Sequence, residues 1–369
     1  MGETATAQQV RMWRMTSLLL DAPAERSPLE VARWFGALQA QDAASGHWSL
    51  GLRCAGLTET NVLDAFERAD VVRTWPMRGT IHIVPAQDVR WMLDLTGVRA
   101  LNGIERRRAQ LGLTLADAER AAVVLADALR GSRLLTRAEA LAALADAGFD
   151  VAGQRSYHLL WFAAQIGVTC IGPQRGSDQT FALLEDWAPH QVSLSRDEAL
   201  AELLLRFVRS HGPVSLQDFA GWTGLTLGDA RRAAALNDGR LLPLATEAGE
   251  LWATGDLAAT IVSREAPALP VVALPGFDEY LLGYKDRRLQ LPAGAMERVV
   301  PGNNGMFRAT VVADGLTVGV WTRTLTPTRV RIDVEPLTRW PARLRRQVEA
   351  AFEPYARFLG RTPEVRITG

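Results

Sequence analysis

Two side-chain carboxamides, separated by one small residue, stand beside a carboxylate in Leu38-Gln39-Ala40-Gln41-Asp42. A carboxamide both accepts and donates hydrogen bonds but is a poor base, so a pair of them can position a water molecule without removing its proton outright. The neighbouring Asp42 offers a different chemistry, a carboxylate that activates water and stabilises a developing cation. On a straight α-helix residues i and i+2 lie about 200° apart. The two amides therefore converge only where a helix ends or distorts, or where one of them turns inward. The run Asp42-Ala43-Ala44-Ser45-Gly46 offers such an end, with Gly46 as a C-terminal stop. The plainer alternative is that Gln39 and Gln41 are capping or surface amides and Asp42 a cap or surface charge.

The elements that must position these groups follow a local pattern that occurs three times. Ser27-Pro28-Leu29-Glu30, Thr136-Arg137-Ala138-Glu139 and Ser215-Leu216-Gln217-Asp218 each precede an apolar run. The first two have the form of a capping box, and the third is a shorter version with Asp. Upstream of each lies an amphipathic helix, over 10–20, 116–129 and 196–208. Downstream come third helices over 60–69, 153–166 and 227–237, then paired β-rich runs at 71–75 and 80–85, 168–171 and 180–183, and 241–245 and 250–253. Three helices closed by a small hairpin describe a winged helix-turn-helix. The expected fold is therefore α+β: three tandem winged helix-turn-helix motifs over 1–108, 109–190 and 191–262, followed by a fourth segment over 263–369. In that segment strands at 270–274, 306–312, 317–322 and 330–334, with Ala313-Asp314-Gly315 as a hairpin turn, suggest a small antiparallel β-barrel or sheet, closed by a C-terminal helix over 340–359.

Composition narrows the function classes. The chain has 369 residues, 48% of them hydrophobic and 22% charged, which excludes a disordered chain and supplies cores for several modules. With 41 basic and 41 acidic residues there is no overall basicity, so binding to nucleic acid requires an asymmetric charge distribution. Two cysteines, Cys54 and Cys170, exclude a disulfide framework and a Cys-rich metal site. Five His without ligand spacing argue against a zinc site, and no Gly-rich phosphate loop is present. No run of about 18 apolar residues occurs and the first nine residues are polar, so the expectation is a cytoplasmic protein without a membrane span.

If the helical units bind DNA, the third helices carry the groove and phosphate contacts. In the second unit that helix bears Gln154, Arg155, Tyr157 and His158, and in the third Asp229, Arg231 and Arg232. Arg78 and His82 flank the first hairpin, as phosphate contacts or as a buried pair. Asp278, Glu279 and Lys285 precede Arg287, an order that suggests a turn with internal salt bridges. Trp48 and Trp75 are core residues or line a site. Between Arg323 and Arg366 ten Arg face five acids, a local excess of five positive charges.

Gln39-Ala40-Gln41 after Trp34-Phe35-Gly36-Ala37-Leu38, then Met77-Arg78-Gly79-Thr80-Ile81-His82, then Phe277-Asp278-Glu279-Tyr280-Leu281-Leu282-Gly283-Tyr284-Lys285-Asp286-Arg287, resembles the AlkZ family of bacterial winged-helix DNA glycosylases. The resemblance covers most of the chain, and its Gln-x-Gln motif maps onto Gln39 and Gln41. It implies hydrolysis of the N-glycosidic bond of N7-alkylguanine and related purines, including unhooking of interstrand cross-links, with Gln39 and Gln41 catalytic and Asp42 the competing candidate. N7 alkylation makes the base a cationic leaving group, so little beyond water positioning and charge stabilisation remains to be supplied. It further implies double-stranded DNA as partner, a monomer, no cofactor, no metal, a role in repair or antibiotic self-resistance, and an additional DNA-probing hairpin around 291–307. DNA contacts are expected from Arg78, His82, Arg155, Arg231, Arg232 and Arg287. A base tied to the opposite strand cannot swing into a deep pocket, so the site is expected to be open. Lys285 is the sole lysine, which argues against a Schiff-base lyase. A winged-helix transcriptional regulator and a drug-sequestering protein are the competing readings.

Overall fold

A computed structural model describes residues 4–22, 24–257 and 269–368. The fold is α+β, and its chain divides into two compact units, residues 1–62 with 200–369 and residues 63–199.

In the unit 63–199, the helix Leu115–Leu129 repeats apolar residues at helical spacing and buries Ala118, Ala122, Leu125 and Leu129. They pack with Leu144, Leu159, Phe162 and Phe181 from the helices Arg137–Asp146 and Gln154–Gln165 and from a strand. The Thr136 box is formed, with Glu139 N–H donating to Thr136 Oγ1 at 3.2 Å and Thr136 N–H to Glu139 Oε2 at 2.6 Å. Within this unit the strand order is Thr80–Pro85, Val71–Met77, Thr169–Ile171, Thr180–Leu183, Leu135–Thr136. Arg78 and Gly79 join the first two strands with φ of 55° and 71°, the positive values that a two-residue hairpin turn requires.

The other unit opens with the helices Ala7–Ser17 and Pro28–Phe35, the latter capped by Ser27 with Glu30. Val10, Met12 and Trp13 bury against Leu251 and Ala253 of the hairpin Leu241–Thr246 and Gly249–Thr254. The helices Leu216–Thr223 and Leu227–Leu236 each begin in a capping box, Ser215 with Asp218 and Thr226 with Asp229.

The C-terminal strands form one sheet in the order Thr362–Ile367, Arg329–Pro336, Leu316–Leu325, Ala309–Ala313, Val272–Leu274. The expected barrel or sheet is thus an open sheet whose last pair, Arg329–Pro336 with Thr362–Ile367, is parallel rather than antiparallel. The closing helix breaks into Ala342–Ala351 and Glu353–Phe358, because Pro354 cannot donate the amide that would continue the first helix. The span 291–307 contains a short helix, Met296–Val299, and a turn at Pro301–Asn303 in place of the hairpin expected there.

Another departure lies at the carboxamide pair. A helix not expected from the sequence, Ala43–Gly51, follows it, capped by Asp42 and with Gly46 in its interior. Arg53, just past that helix, has no solvent exposure. Its Nη1 and Nη2 donate to the two carboxylate oxygens of buried Asp278 at 2.9 and 3.0 Å, Nη1 also donates to Ser49 O at 2.8 Å, and Nε to Leu18 O at 2.9 Å. The Trp48 Nε1–H adds a bond to Ala273 O at 2.9 Å. A buried pair of this kind is costly to break from one side, since the remaining charge has no water. Asp278→Ala is expected to lower unfolding free energy by about 3–5 kcal/mol in urea titration, and Arg53→Met with Asp278→Leu by clearly less. A single variant within about 1 kcal/mol of wild type would show that the pair carries no such constraint.

Candidate active site

The carboxamide pair sits on the short connection between two capped helices, Gln39 at the end of a two-residue strand and Gln41 at the bend that follows. Gly36, at φ 82°, ends the helix Pro28–Phe35 and sends the backbone into the short strand Leu38–Gln39. Gln39 and Gln41 therefore share no helix, and the chain bends at Gln41 just after the strand ends. Gly46 plays no part as a stop, because the helix terminates before the motif rather than after it.

The two amides are held unequally. Gln39 is 7% exposed, whereas Gln41 and Asp42 are exposed. The Gln39 backbone N–H donates to Glu279 Oε1 at 2.9 Å. The other oxygen, Oε2, accepts from Trp222 Nε1–H at 2.9 Å and meets His211 Nε2 at 3.3 Å. Asp42 is engaged as a cap: its Oδ2 accepts from Ser45 N–H at 3.0 Å and from Ser45 Oγ at 2.5 Å, with Arg323 Nη2 at 3.5 Å.

Charges alternate outward from Asp42. Arg323 projects from the strand Leu316–Leu325 and lies 6.0 Å from the Tyr355 ring centroid. His47 Nδ1 lies 3.5 Å from Glu59 Oε1. The His47 hydrogen bond holds the Glu59 carboxyl below its usual range against the effect of burial, and the charges of His47, Arg323 and Arg361 act in the same direction. Burial pushes the Tyr355 hydroxyl up to about 12; Arg323 opposes that shift, and Glu59 and Asp42 add to it. Tyr355 is therefore a neutral hydrogen-bonding group at neutral pH, not a base.

The other expected contact residues fall in both units. Arg78 is exposed at the turn of its hairpin. His82 corrects the expectation: it is wholly buried on the strand Thr80–Pro85, with Nδ1 2.9 Å from Thr80 O, and has no surface to offer DNA. Arg155 is half-buried, its Nε donating to Leu111 O at 2.7 Å and its Nη1 paired with Asp150. Arg231 and Arg232 are exposed on the helix Leu227–Leu236. Arg287 is half-buried, donates from Nε to Leu281 O at 2.6 Å and lies 4.9 Å from the Phe307 ring centroid. Trp48 and Trp75 are both buried. Both cysteines are free and buried, their thiols pushed up to about 12 by desolvation, which makes neither a nucleophile. Among the described residues no cluster of His, Cys, Asp and Glu is arranged to hold a metal, and no helix is long and apolar enough to cross a membrane.

Sequence reasoning missed Arg53, His211 and Trp222, and read Asp278 and Glu279 only as turn residues. A local signal was available for the acidic pair: Phe277-Asp278-Glu279-Tyr280-Leu281 sets two carboxylates inside an apolar run, where a charge has to find partners.

The likeness to known proteins runs through this site. A family model for AlkZ-like DNA glycosylases matches residues 32–358, a span that includes Gln39, Gln41, Glu279 and Tyr355. An interstrand DNA cross-link repair glycosylase of Streptomyces sahachiroi is 28% identical over 342 residues, covering 86% of this chain and 88% of that protein. The solved structure of the Streptomyces sahachiroi DNA glycosylase AlkZ aligns with a TM-score of 0.79 and 25% identity, covering 99% of this chain and all (100%) of that one. With its family model spanning most of its length, the chain belongs to the AlkZ-like DNA glycosylases.

Proposed function

We propose that this chain is a monofunctional DNA glycosylase that hydrolyses the N-glycosidic bond of N7-alkylguanine and related alkylpurines, including those in interstrand cross-links. The observation that carries the reading is that Gln39 and Gln41 lie together on one short non-helical segment between two helices, inside the span matched by the family model and bonded at the Gln39 backbone to a buried carboxylate. The name of the Streptomyces sahachiroi relative supports cross-links as substrates.

The chemistry follows from the lesion. Alkylation at N7 places a positive charge on the base, so the C1′–N9 bond breaks with oxocarbenium character and little protonation of the leaving group. The two amides hold a water below C1′, one oxygen accepting a water proton and an amide N–H donating to the water oxygen. Asp42 acts as helix cap, its Oδ2 already accepting from Ser45 and facing Arg323. Lys285, the only lysine, is exposed beside Asp286 in a segment distinct from the amide pair, which supports hydrolysis without a lyase step.

DNA is gripped, in this reading, by three winged helices over 1–108, 109–190 and 191–262, with 263–369 as a fourth, sheet-containing segment. Arg78, Arg155, Arg231, Arg232 and Arg287 supply phosphate or groove contacts. We assign the DNA-probing hairpin to Leu316–Leu325 with Arg329–Pro336, whose Arg323 reaches Asp42 beside the amide pair. The protein acts as a monomer without cofactor on duplex DNA in the cytoplasm.

A duplex bearing one N7-methylguanine tests the assignment. Wild type is expected to release the free base and leave an abasic site. Gln39→Ala and Gln41→Ala are each expected to slow release by about 10²–10³-fold, and Asp42→Asn by less than about tenfold. Abolition by Asp42→Asn with both Gln variants intact would reverse the roles. A shifted but intact duplex would instead support a regulator, and tight drug binding without DNA a sequestering protein. Because the site is proposed to be open, bulky and cross-linked N7 adducts are expected to be excised at rates within about tenfold of the methyl lesion. Release confined to small, extrudable bases would contradict an open site.

A further inference from the structure

We infer that Glu279 is a positioning residue for base excision, acting through the backbone of Gln39. This rests on the reading of Gln39 and Gln41 as the water-holding amides.

Glu279 is 1% exposed, and its two oxygens serve different elements. Oε1 takes the N–H of Gln39 on the segment that follows the first capped helix. Oε2 takes Trp222 Nε1–H from the helix Leu216–Thr223 and faces His211 Nε2 at the end of the helix Arg196–His211. His211 is itself fixed. Its Nδ1 lies 2.8 Å from Ser210 Oγ, and the rings of Phe35, Phe207, Trp222 and Tyr284 surround it. Gly283 leaves room for the imidazole, since a Cβ there would stand 2.2 Å from His211 Cδ2.

Packing alone does not call for a carboxylate in this place. An apolar side chain of similar volume fills a core as well or better, with no charge to satisfy. What a carboxylate supplies is reception from two directions at once: Trp222 and His211 fix its plane, and the fixed plane sets where the Gln39 amide must lie. The backbone that carries Glu279 is anchored in turn, because Asp278 is held by Arg53. The side chains of Gln39 and Gln41 then emerge from a segment whose position is set at its peptide bond. Misplacement of a reacting group by about 1 Å is enough to cost about 100-fold in rate.

Two variants with the opposing indole donor removed isolate the acceptor. In Glu279→Gln with Trp222→Phe, the amide oxygen still accepts from Gln39 and no Nε1–H opposes the amide hydrogens. In Glu279→Met with Trp222→Phe the acceptor is gone and the volume retained. Single-turnover release of N7-methylguanine is measured together with affinity for an uncleavable duplex and thermal unfolding. The Gln variant is expected within about fivefold of wild type and the Met variant about 100-fold slower, with DNA affinity of both within about threefold and both folded. Equal rates for the two, with Gln39→Ala and Gln41→Ala still defective, would overturn the positioning role and leave the amide reading standing. Wild-type rates in the two Ala variants would overturn the amide reading and this inference together. If the Met variant does not fold, Glu279→Gln alone carries the comparison: it is expected to be slower than Glu279→Gln with Trp222→Phe, because its amide hydrogens oppose the indole, and equality overturns the inference.

Discussion

Two consecutive buried carboxylates, Asp278 and Glu279, hold the two ends of one stretch of chain. Glu279 takes the backbone of Gln39, and Asp278 takes both Nη atoms of Arg53. The segment between them contains the carboxamide pair, the Asp42 cap and the helix Ala43–Gly51. A buried charge has to be satisfied by the protein itself, and the cost of failing to do so is large enough to dictate local geometry. The turn that presents the two acids is equally constrained: Phe277 sits at φ 61°, a left-handed conformation that a bulky residue adopts only where its surroundings hold it there. A long-range pair of contacts thus fixes both ends of a segment made of the bend that carries the pair and the helix that follows it.

The same arrangement accounts for the unequal environments of the two amides. Gln39 lies near the anchored end and is buried; Gln41 stands two residues further, at the surface, where the chain bends into the helix that Asp42 caps. Asp42 is drawn into that cap and toward Arg323, so the carboxylate next to the pair in sequence has structural duties. Nearby, the His47 hydrogen bond, helped by the charges of His47, Arg323 and Arg361, holds the Glu59 carboxyl in its charged form. The proposed chemistry is consistent with that balance: a cationic base departing from DNA needs a held water more than it needs a strong base.

What was legible in the sequence is what is local. The Ser27, Thr136 and Ser215 capping boxes are written in four residues each, and their helices begin where those residues say. The turn at Arg78-Gly79 is equally local. The carboxamide pair was legible as a chemical candidate, but its setting was not: the i to i+2 argument was framed for a helix, and Gly36 had already ended the helix before Gln39. The helix Ala43–Gly51 was hidden because Gly46 and two serines lower its intrinsic propensity, which packing through Trp48 overrides. Glu279 lies 240 residues from Gln39, and no periodicity connects them. His82 was ambiguous for a different reason: a histidine in a strand reads the same whether its face is buried or wet, and only burial separates the two.

A neutral amide makes stricter demands on its scaffold than a carboxylate does. A full charge attracts a forming cation from any direction, and its effect falls off slowly with distance. An amide acts through hydrogen bonds of defined direction, which weaken steeply as the angle departs from linear. A site that works through two carboxamides therefore depends on orientation where a carboxylate site can depend on charge, and orientation has to be supplied by groups that do not move. Rigid elements and fully satisfied supporting hydrogen bonds are the usual means. In the proposed site those means are a buried carboxylate on the backbone of one amide and a capped helix directly after the other. On the proposed reading, the burial of Glu279 and the engagement of Asp42 serve the same physical requirement, which is to hold the pair still.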